Sequence, residues 1–435
     1  MTDRICIIGA GPSGITAARN LRAAGLTDIT VLDRGHAVGG NWVFDADSGH
    51  SSVFETTHII SSKRFSQYEE FPLPDDAPDY PDHQTLARYF QDYARHFDLE
   101  RHIRFGRLVT RCTLRDDGRW TVASRPDADP DAEEETETFD RLVVANGHHW
   151  KPRWPSWPGA FDGELLHSHH YKRAEPFRDQ RVLIVGGGNS ACDCAVETAR
   201  VSARTDLSWR RGYWIVPKFM FGQPGDVLYN RVVQRASWVP LTLRYRAMER
   251  MLRLVNGPNR LYGLPEPDHR FGETHPTVNS ELLYFLRHGA IHPRPDIARL
   301  DGHDVHFTDG TTGTYDAIIA CTGYEISHPF LDPELIDYST GPVPLYRKMI
   351  HPTLDSIAFV GLFQPIGCIW PLAELQSRLL ARWWTGRWSP PADRETAIRD
   401  ELANPHLRQL DSPRHTITVD YPTFRRELLD ELGRA

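Results

Sequence analysis

Two glycine-rich turns of one design constrain this 435-residue chain more than any other feature. Gly9-Ala10-Gly11-Pro12-Ser13-Gly14 and Gly186-Gly187-Gly188-Asn189-Ser190-Ala191 each follow an apolar run, Ile5 to Ile8 and Val182 to Val185, and each opens a stretch of small residues. Strand, glycine turn and helix in that order form the context in which such a turn cradles a dinucleotide. Glycine lets the main chain approach a pyrophosphate, and the helix N-terminus presents unpaired N–H groups with partial positive charge. Ala191 replaces the third glycine of the second turn and is small enough to keep helix and strand in contact. The charges downstream are opposite. Counting from each first glycine, 33 − 9 = 24 reaches Asp33 and 210 − 186 = 24 reaches Arg210. An acid there accepts hydrogen bonds from a ribose 2′-hydroxyl, whereas a guanidinium suits a 2′-phosphate. Arg clamps phosphate through a planar fork that Lys does not reproduce. Arg211 and the hydroxyl of Ser208 extend the expected phosphate site. The two turns therefore predict FAD at Gly9 and NADPH at Gly186.

A chain of this length exceeds what one hydrophobic core organises, so two domains are expected. The formal charge of −8 speaks against nucleic acid as a partner. No uninterrupted apolar run approaches the roughly 20 residues needed to span a bilayer. The N-terminus has no basic segment leading into a cleavable apolar stretch, and a cytoplasmic enzyme without a membrane anchor is the expectation. Six cysteines (6, 112, 192, 194, 321, 368) contain no Cys-x-x-Cys pair and no zinc spacing, which predicts reduced, buried thiols. The histidines at 148 and 149, and at 167, 169 and 170, sit on loops rather than at i, i+4 on a helix. No metal site is read from them.

Asp117-Gly118 marks a hairpin turn between Ile103 and Val122, and the Asp-, Glu- and Pro-rich stretch Pro126 to Thr138 reads as a mobile hairpin tip or loop. The stiff run from Trp150 to Gly159 reads as an interdomain linker. An α/β fold follows, with two Rossmann-like dinucleotide-binding domains and the NADPH domain inserted in the FAD domain. The expected boundaries are 1–150 for the first part of the FAD domain, 151–330 for the NADPH domain and 331–435 for the C-terminal return. An insertion over about 213–290 carries helices, and its basic amphipathic segment Leu241 to Leu254 reads as a solvated helix.

Between the turns stands Phe161-x-Gly163-x-x-x-His167-x-x-x-Tyr171-Lys172. Together with Gly39-Gly40-x-Trp42, Cys321-Thr322-Gly323-Tyr324 and Glu374-Leu375-Gln376 in the same order, this pattern resembles the flavin-containing monooxygenases, the class B flavoprotein monooxygenases. The resemblance covers nearly the whole chain, and Tyr171-Lys172 is similar to the N- and S-oxygenating branch. It implies an NADPH- and O2-dependent enzyme that oxygenates a soft nucleophile, amine nitrogen or sulfide sulfur, through an FAD C4a-hydroperoxide. It also implies FAD contacts from Gly40, Trp42, Val109, Thr322, Gly323 and Gln376, besides the first turn and Asp33, and an NADP contact from Tyr171. The implied partners are a small-molecule substrate and O2, with homodimer formation left open.

One position departs from the family pattern. The family places an asparagine beside the flavin, and here the aligned segment is Ile60-Ser61-Ser62-Lys63 ahead of Glu70-Phe71-Pro72. Ile60 has no hydrogen-bond donor. Asn41, Ser61 and Ser62 are candidates to compensate, and His167 is a candidate for coupling the linker to NADP. Two alternative reactions stand beside the first, Baeyer–Villiger oxygenation of a ketone and an uncoupled NADPH oxidase. A flavin-binding redox sensor is a further, non-enzymatic reading. Disulfide reduction requires a paired redox motif that the chain lacks.

Overall fold

The computed structural model describes residues 3–46, 49–235, 238–336, 342–407, 409–410 and 416–433. The chain divides into two units, the first made of Met1–Ser51, Lys63–Lys151 and Glu325–Ala435, the second of Ser52–Ser62 and Pro152–Tyr324. Each contains a five-stranded parallel sheet with the strand that feeds a glycine turn at its centre.

In the first unit the strand order is Ile357–Phe359, Arg141–Val144, Ile5–Ile8, Ile29–Leu32, Ile103–Arg104. The four residues of Ile5–Ile8 are all buried, as expected of a parallel strand covered on both faces. Helix Pro12–Ala23 begins with proline, whose missing N–H costs nothing in a first turn. Helix Trp370–Trp384 packs against it, burying Leu372, Leu375 and Leu379. One side of the sheet shares a core in which Cys6, Ile8 and Val144 meet Trp120, Phe139 and Phe359. Trp120 and Phe139 come from an antiparallel three-stranded sheet, Arg107–Leu114, Trp120–Pro126 and Glu135–Phe139. Its first hairpin turns at Gly118, in the left-handed region with φ 80°.

Residues 127–134 form the tip of its second hairpin, whereas Glu135 to Thr138, expected in the tip or loop, are strand. Glu135 and Glu137 pair with Arg107 and Arg104 on other strands and with Arg4 just before strand Ile5–Ile8. An acidic run that looks unfoldable alone thus becomes an edge strand, held by cations drawn from elsewhere in the chain.

In the second unit the order is Glu164–His167, Ala317–Ala320, Arg181–Val185, Arg204–Ser208, Ile291–Arg294, again all parallel. The period-2 alternation of a strand sorts its side chains to two faces. Val182 and Ile184 join Cys192, Leu207 and Phe177 under helix Asn189–Ala199. Leu183 and Val185 join Val305, Phe307 and Tyr315 on the other side. The segment Ser52–Ser62 belongs here rather than with the first unit, because Glu55 N donates to the Lys172 carbonyl (2.8 Å) and the Phe54 and Tyr171 rings meet edge-on at 5.4 Å. Helices Gly225–Arg235 and Leu241–Asn256 belong to the insertion, which has a small core of its own around Trp214, Met220, Leu252 and Phe271. Helix Leu241–Asn256 buries Glu249 and Leu252 and leaves Arg246, Arg250 and Leu254 exposed.

All six cysteines are free, and only Cys321 is not fully buried. Among the described residues no helix is long and apolar enough to cross a membrane, a statement about helices and not about compartment.

Candidate functional site

The first turn is a cradle that side chains would fill. Gly9 has φ +106°, and a Cβ there would stand 2.6 Å from the Ala145 carbonyl oxygen. A Cβ on Gly14 would lie 1.8 Å from the Gly9 carbonyl oxygen, inside any contact distance. Gly40, at φ +54°, would place a Cβ 2.9 Å from the Gly11 Cα, so these two main chains touch with nothing between them. Ser13 follows Pro12 in the first helical turn, its Oγ 2.1 Å from where Gly361 would carry a Cβ. The Tyr68 hydroxyl donates to the Pro12 carbonyl at 2.7 Å and fixes that turn.

Asp33 closes the next strand. Its Oδ2 accepts from Ala10 N and its Oδ1 from Gly35 N, both at 2.6 Å. A carboxylate offers about four lone-pair sites, so acceptor capacity for a ribose hydroxyl is left after the turn has been tied. Trp42 lies in the short 3-10 turn Gly40–Trp42, edge-on to Trp370 at 5.7 Å. Asn41, between them, accepts the Ser51 hydroxyl at its carbonyl (2.7 Å).

The second turn is braced differently. Gly186, at φ +132°, would place a Cβ 2.5 Å from the Cys321 carbonyl oxygen, and a Cβ on Gly187 would enter the Tyr213 ring. Gly188 precedes helix Asn189–Ala199, Ser190 is exposed on its first turn, and Ala191 is fully buried against Gly186. Thr277 Oγ1 donates to the Gly187 carbonyl (2.6 Å), and Val278 N donates to Asn189 Oδ1 (2.7 Å). Past the following strand, Trp209 is buried and Arg210 is exposed. Among the described residues Arg210 has no ion pair or hydrogen bond. Arg211 lies over the Tyr213 ring at 5.5 Å.

Several residues expected at the nucleotides are buried or already engaged within the protein. Ser208 is buried and its hydroxyl donates to the Pro295 carbonyl (2.7 Å), so its proton is not available to a phosphate. Tyr171 is 1% exposed and packed on Phe54 and Phe177. Gln376 is fully buried with both amide ends engaged: Oε1 accepts from Gly361 N and Nε2 donates to the Arg347 carbonyl. It ties down the Gly361 loop against which Ser13 rests. The Val109 side chain also belongs to the core of the first unit.

Thr322 and Gly323 lie in the second unit, following strand Ala317–Ala320, and the Thr322 hydroxyl donates to the Arg153 carbonyl (2.5 Å). His167 is fully buried between the rings of Trp154 and Tyr324. Burial, with His169 adding to it, lowers its pKa to about 4, so the imidazole is neutral near pH 7. Ile60 is half-buried, Ser61 and Ser62 are buried, and Ser62 N donates to Asp226 Oδ2 (2.7 Å). Ser61, Ser62 and His167 belong to the second unit and Asn41 to the first.

Sequence reading passed over Thr277, Val278 and Asn279, which hold the second turn. Asn279 Oδ1 accepts from Glu281 N and Leu282 N, the capping signature of a helix start and the one readable signal there. Its Nδ2 donates to Asp193 on the turn's helix (2.7 Å). Burial raises the Asp193 pKa to about 6, against the lowering pull of Lys218.

Residues 2–434 match the family model described as flavin-binding monooxygenase-like. The chain belongs to that family. Flavin-containing monooxygenase 5 of Homo sapiens is 31% identical over 448 residues, covering 99% of this chain and 83% of the relative. Dimethylaniline monooxygenase (N-oxide-forming) 2 of Rattus norvegicus is 32% identical over 454 residues, covering 100% and 83%. Among solved structures, S-allyl-L-cysteine S-oxygenase from Allium sativum superposes with a TM-score of 0.72 at 25% identity, covering 100% of this chain and 89% of that one. Cyclohexanone monooxygenase from Rhodococcus sp. Phi1 reaches 0.74 at 15% identity, covering 99% and 97%, and shares the fold. The protein is a flavin monooxygenase that uses FAD and NADPH, and both glycine cradles fit such nucleotides: each is a main-chain surface that a Cβ would obstruct.

Proposed function

We propose that this enzyme uses NADPH and O2 to oxygenate a soft nucleophile, amine nitrogen or sulfide sulfur. The observation that carries the reading is the contrast at equal distance from the two turns, a carboxylate tied into the first and an unpaired guanidinium beside the second. The first unit would be the FAD domain and the second the NADPH domain inserted in it. Gly9, Gly11, Gly14 and Gly40 would give main-chain access to the FAD pyrophosphate, with Pro12 and Ser13 opening the helix above it and Asp33 on the ribose. Gly186, Gly188, Asn189 and Ser190 would do the same for NADPH, with Arg210 and Arg211 on its 2′-phosphate. Bound FAD supplies the redox chemistry, taking two electrons from NADPH and activating O2. The chain supplies binding, orientation and exclusion of water. The activities for which two similar proteins are named, N-oxide formation and S-oxygenation, support the choice of nucleophile.

Ile60 favours a second reading, an NADPH oxidase that releases peroxide. Its side chain offers no donor where the family places an amide. Incubating the FAD-loaded protein with NADPH and a panel of amines, sulfides and cyclic ketones separates the readings. N- or S-oxide by mass supports the first, and peroxide alone with every substrate supports the second. Lactone formation as the main product would overturn both.

A further inference from the structure

The loop after strand Arg204–Ser208 brings the second glycine turn and an arginine together on one aromatic ring. A Cβ on Gly187 would stand 2.2 Å from Tyr213 Cε2 and 2.4 Å from Cδ2, so an edge of that ring lies directly on the main chain of the turn. The Arg211 guanidinium lies over the same ring, 5.5 Å from its centroid. Buried Trp209 meets the ring edge-on at 5.3 Å and packs it against the core of the second unit.

The backbone that carries the ring is pinned as well. Gly212 is buried, and a Cβ there would stand 2.3 Å from the Glu266 carbonyl oxygen and 2.5 Å from that of Pro265. Asn259 Nδ2 donates to the Tyr213 carbonyl (3.1 Å) and to the Pro265 carbonyl (3.0 Å). The Arg211 side chain is held differently. Among the described residues it has no hydrogen bond or ion pair, and its Nε is buried without a partner. The face of Tyr213 is what it rests on.

We propose that Tyr213 is a positioning residue for coenzyme choice: its ring holds the Arg211 guanidinium at a fixed reach from the Gly187 main chain, and discrimination of NADPH from NADH depends on that ring. This rests on the assignment of NADPH to the Gly186 turn. The two coenzymes share a pyrophosphate and differ by the 2′-phosphate, which the ribose sets at a fixed distance from it. Protein groups that meet both must keep a matching separation. A planar guanidinium is attracted to an aromatic face and stacks on it. Stacking leaves the N–H groups at the guanidinium edge free, and those are the groups that pair with phosphate. A free arginine side chain gives up rotamer freedom when it is fixed by a ligand. One already laid on a ring gives up less, so more of the phosphate contact is expressed as binding. Arg210, exposed and without such a ring, adds charge without a fixed reach.

The test titrates FAD-loaded protein with adenosine 2′,5′-bisphosphate and with adenosine 5′-monophosphate, by calorimetry. The two probes differ only in the 2′-phosphate. Tyr213→Leu keeps apolar bulk against Gly187 and Trp209 but removes the π face. It should weaken the bisphosphate about tenfold, equivalent to about 1.4 kcal/mol, and leave the monophosphate nearly unchanged. In steady state it should raise the KM for NADPH by the same factor and move that for NADH and the kcat little. Tyr213→Phe keeps the ring and should restore the wild-type ratio of the two affinities. On an Arg211→Ala background Tyr213→Leu should cost nothing further, because the ring acts through that guanidinium. A melting curve checks folding, and Tyr213→Met replaces the leucine variant if that one melts early. Equal weakening of both probes, weakening of neither, or a Phe variant as impaired as the Leu variant overturns the proposal. Wild-type protein that binds both probes equally strikes the NADPH assignment instead, whatever the ring does.

Discussion

The two glycine turns share a strand–turn–helix plan and differ in how each treats its discriminating charge. Asp33 is bound into its turn through Ala10 N, and Gly11 is pressed against Gly40, so the first cradle is set before any ligand arrives. Arg210 stands exposed and, among the described residues, unpaired, and the second turn is held by Thr277 and Val278 from far along the chain. A rigid cradle suits a nucleotide that stays, because ordering costs are met on folding and not on binding. A free guanidinium suits one that exchanges every turnover. On the proposed assignment the difference would separate a resident cofactor from a co-substrate by mechanics as much as by charge.

Breaking the comparison begins with Gly14→Ala. The added methyl group would overlap the Gly9 carbonyl, and an overpacked site of this kind costs about 3 kcal/mol. Colourless protein with an early thermal transition is the expected result, and flavin absorbance with a melting curve checks it. Arg210→Ala should raise the KM for NADPH by the equivalent of about 1.5–3 kcal/mol and leave that for NADH nearly unchanged, since a charged hydrogen bond is worth that much. Equal weakening of both cofactors would show that Arg210 does not read the 2′-phosphate.

A third variant sharpens the contrast between the two helices. Position 193 − 186 = 7 carries half-buried Asp193, and 16 − 9 = 7 carries neutral Thr16. The folded-state pKa of Asp193, about 6, is above its ordinary value. The native state therefore holds the proton more tightly, and stability is lost as pH rises from about 4 to about 6. His167, lowered to about 4, acts the other way and costs stability as pH falls below about 6.5. The difference between wild type and Asp193→Asn isolates the acid. The variant should be steadier at pH 7 by on the order of 2 kcal/mol, with the gain gone by pH 4, as hydrogen exchange along helix Asn189–Ala199 would show. Smallest of all, Ala191→Gly should cost about 0.5–1 kcal/mol, the ordinary price of glycine within a helix, and leave NADPH turnover nearly intact.

What the sequence made legible was local. Gly9 to Gly14, Asp33, Gly186 to Ala191 and Arg210 are each fixed by spacing within about two dozen residues, and their order reports strand, turn and helix directly. Less legible was burial, which distant parts of the chain decide. Tyr171 looks like a polar contact in a motif, but Phe54, more than a hundred residues earlier, closes over it. Gln376 and Ser208 carry groups suited to a ligand, and main-chain partners at Gly361 and Pro295 take them first. The strand Glu135–Phe139 was unreadable for the same reason, since its cations lie at Arg4, Arg104 and Arg107.

The nesting of one unit within the other carries a consequence for biosynthesis. All of the inner body has been synthesised once Tyr324 is made, whereas the outer sheet still awaits its edge strand Ile357–Phe359 and helix Tyr421–Gly433. Domains fold as units while the chain emerges. The later-starting body is therefore the first able to finish, and the N-terminal half of the other must wait, partly assembled, for its C-terminal half to arrive.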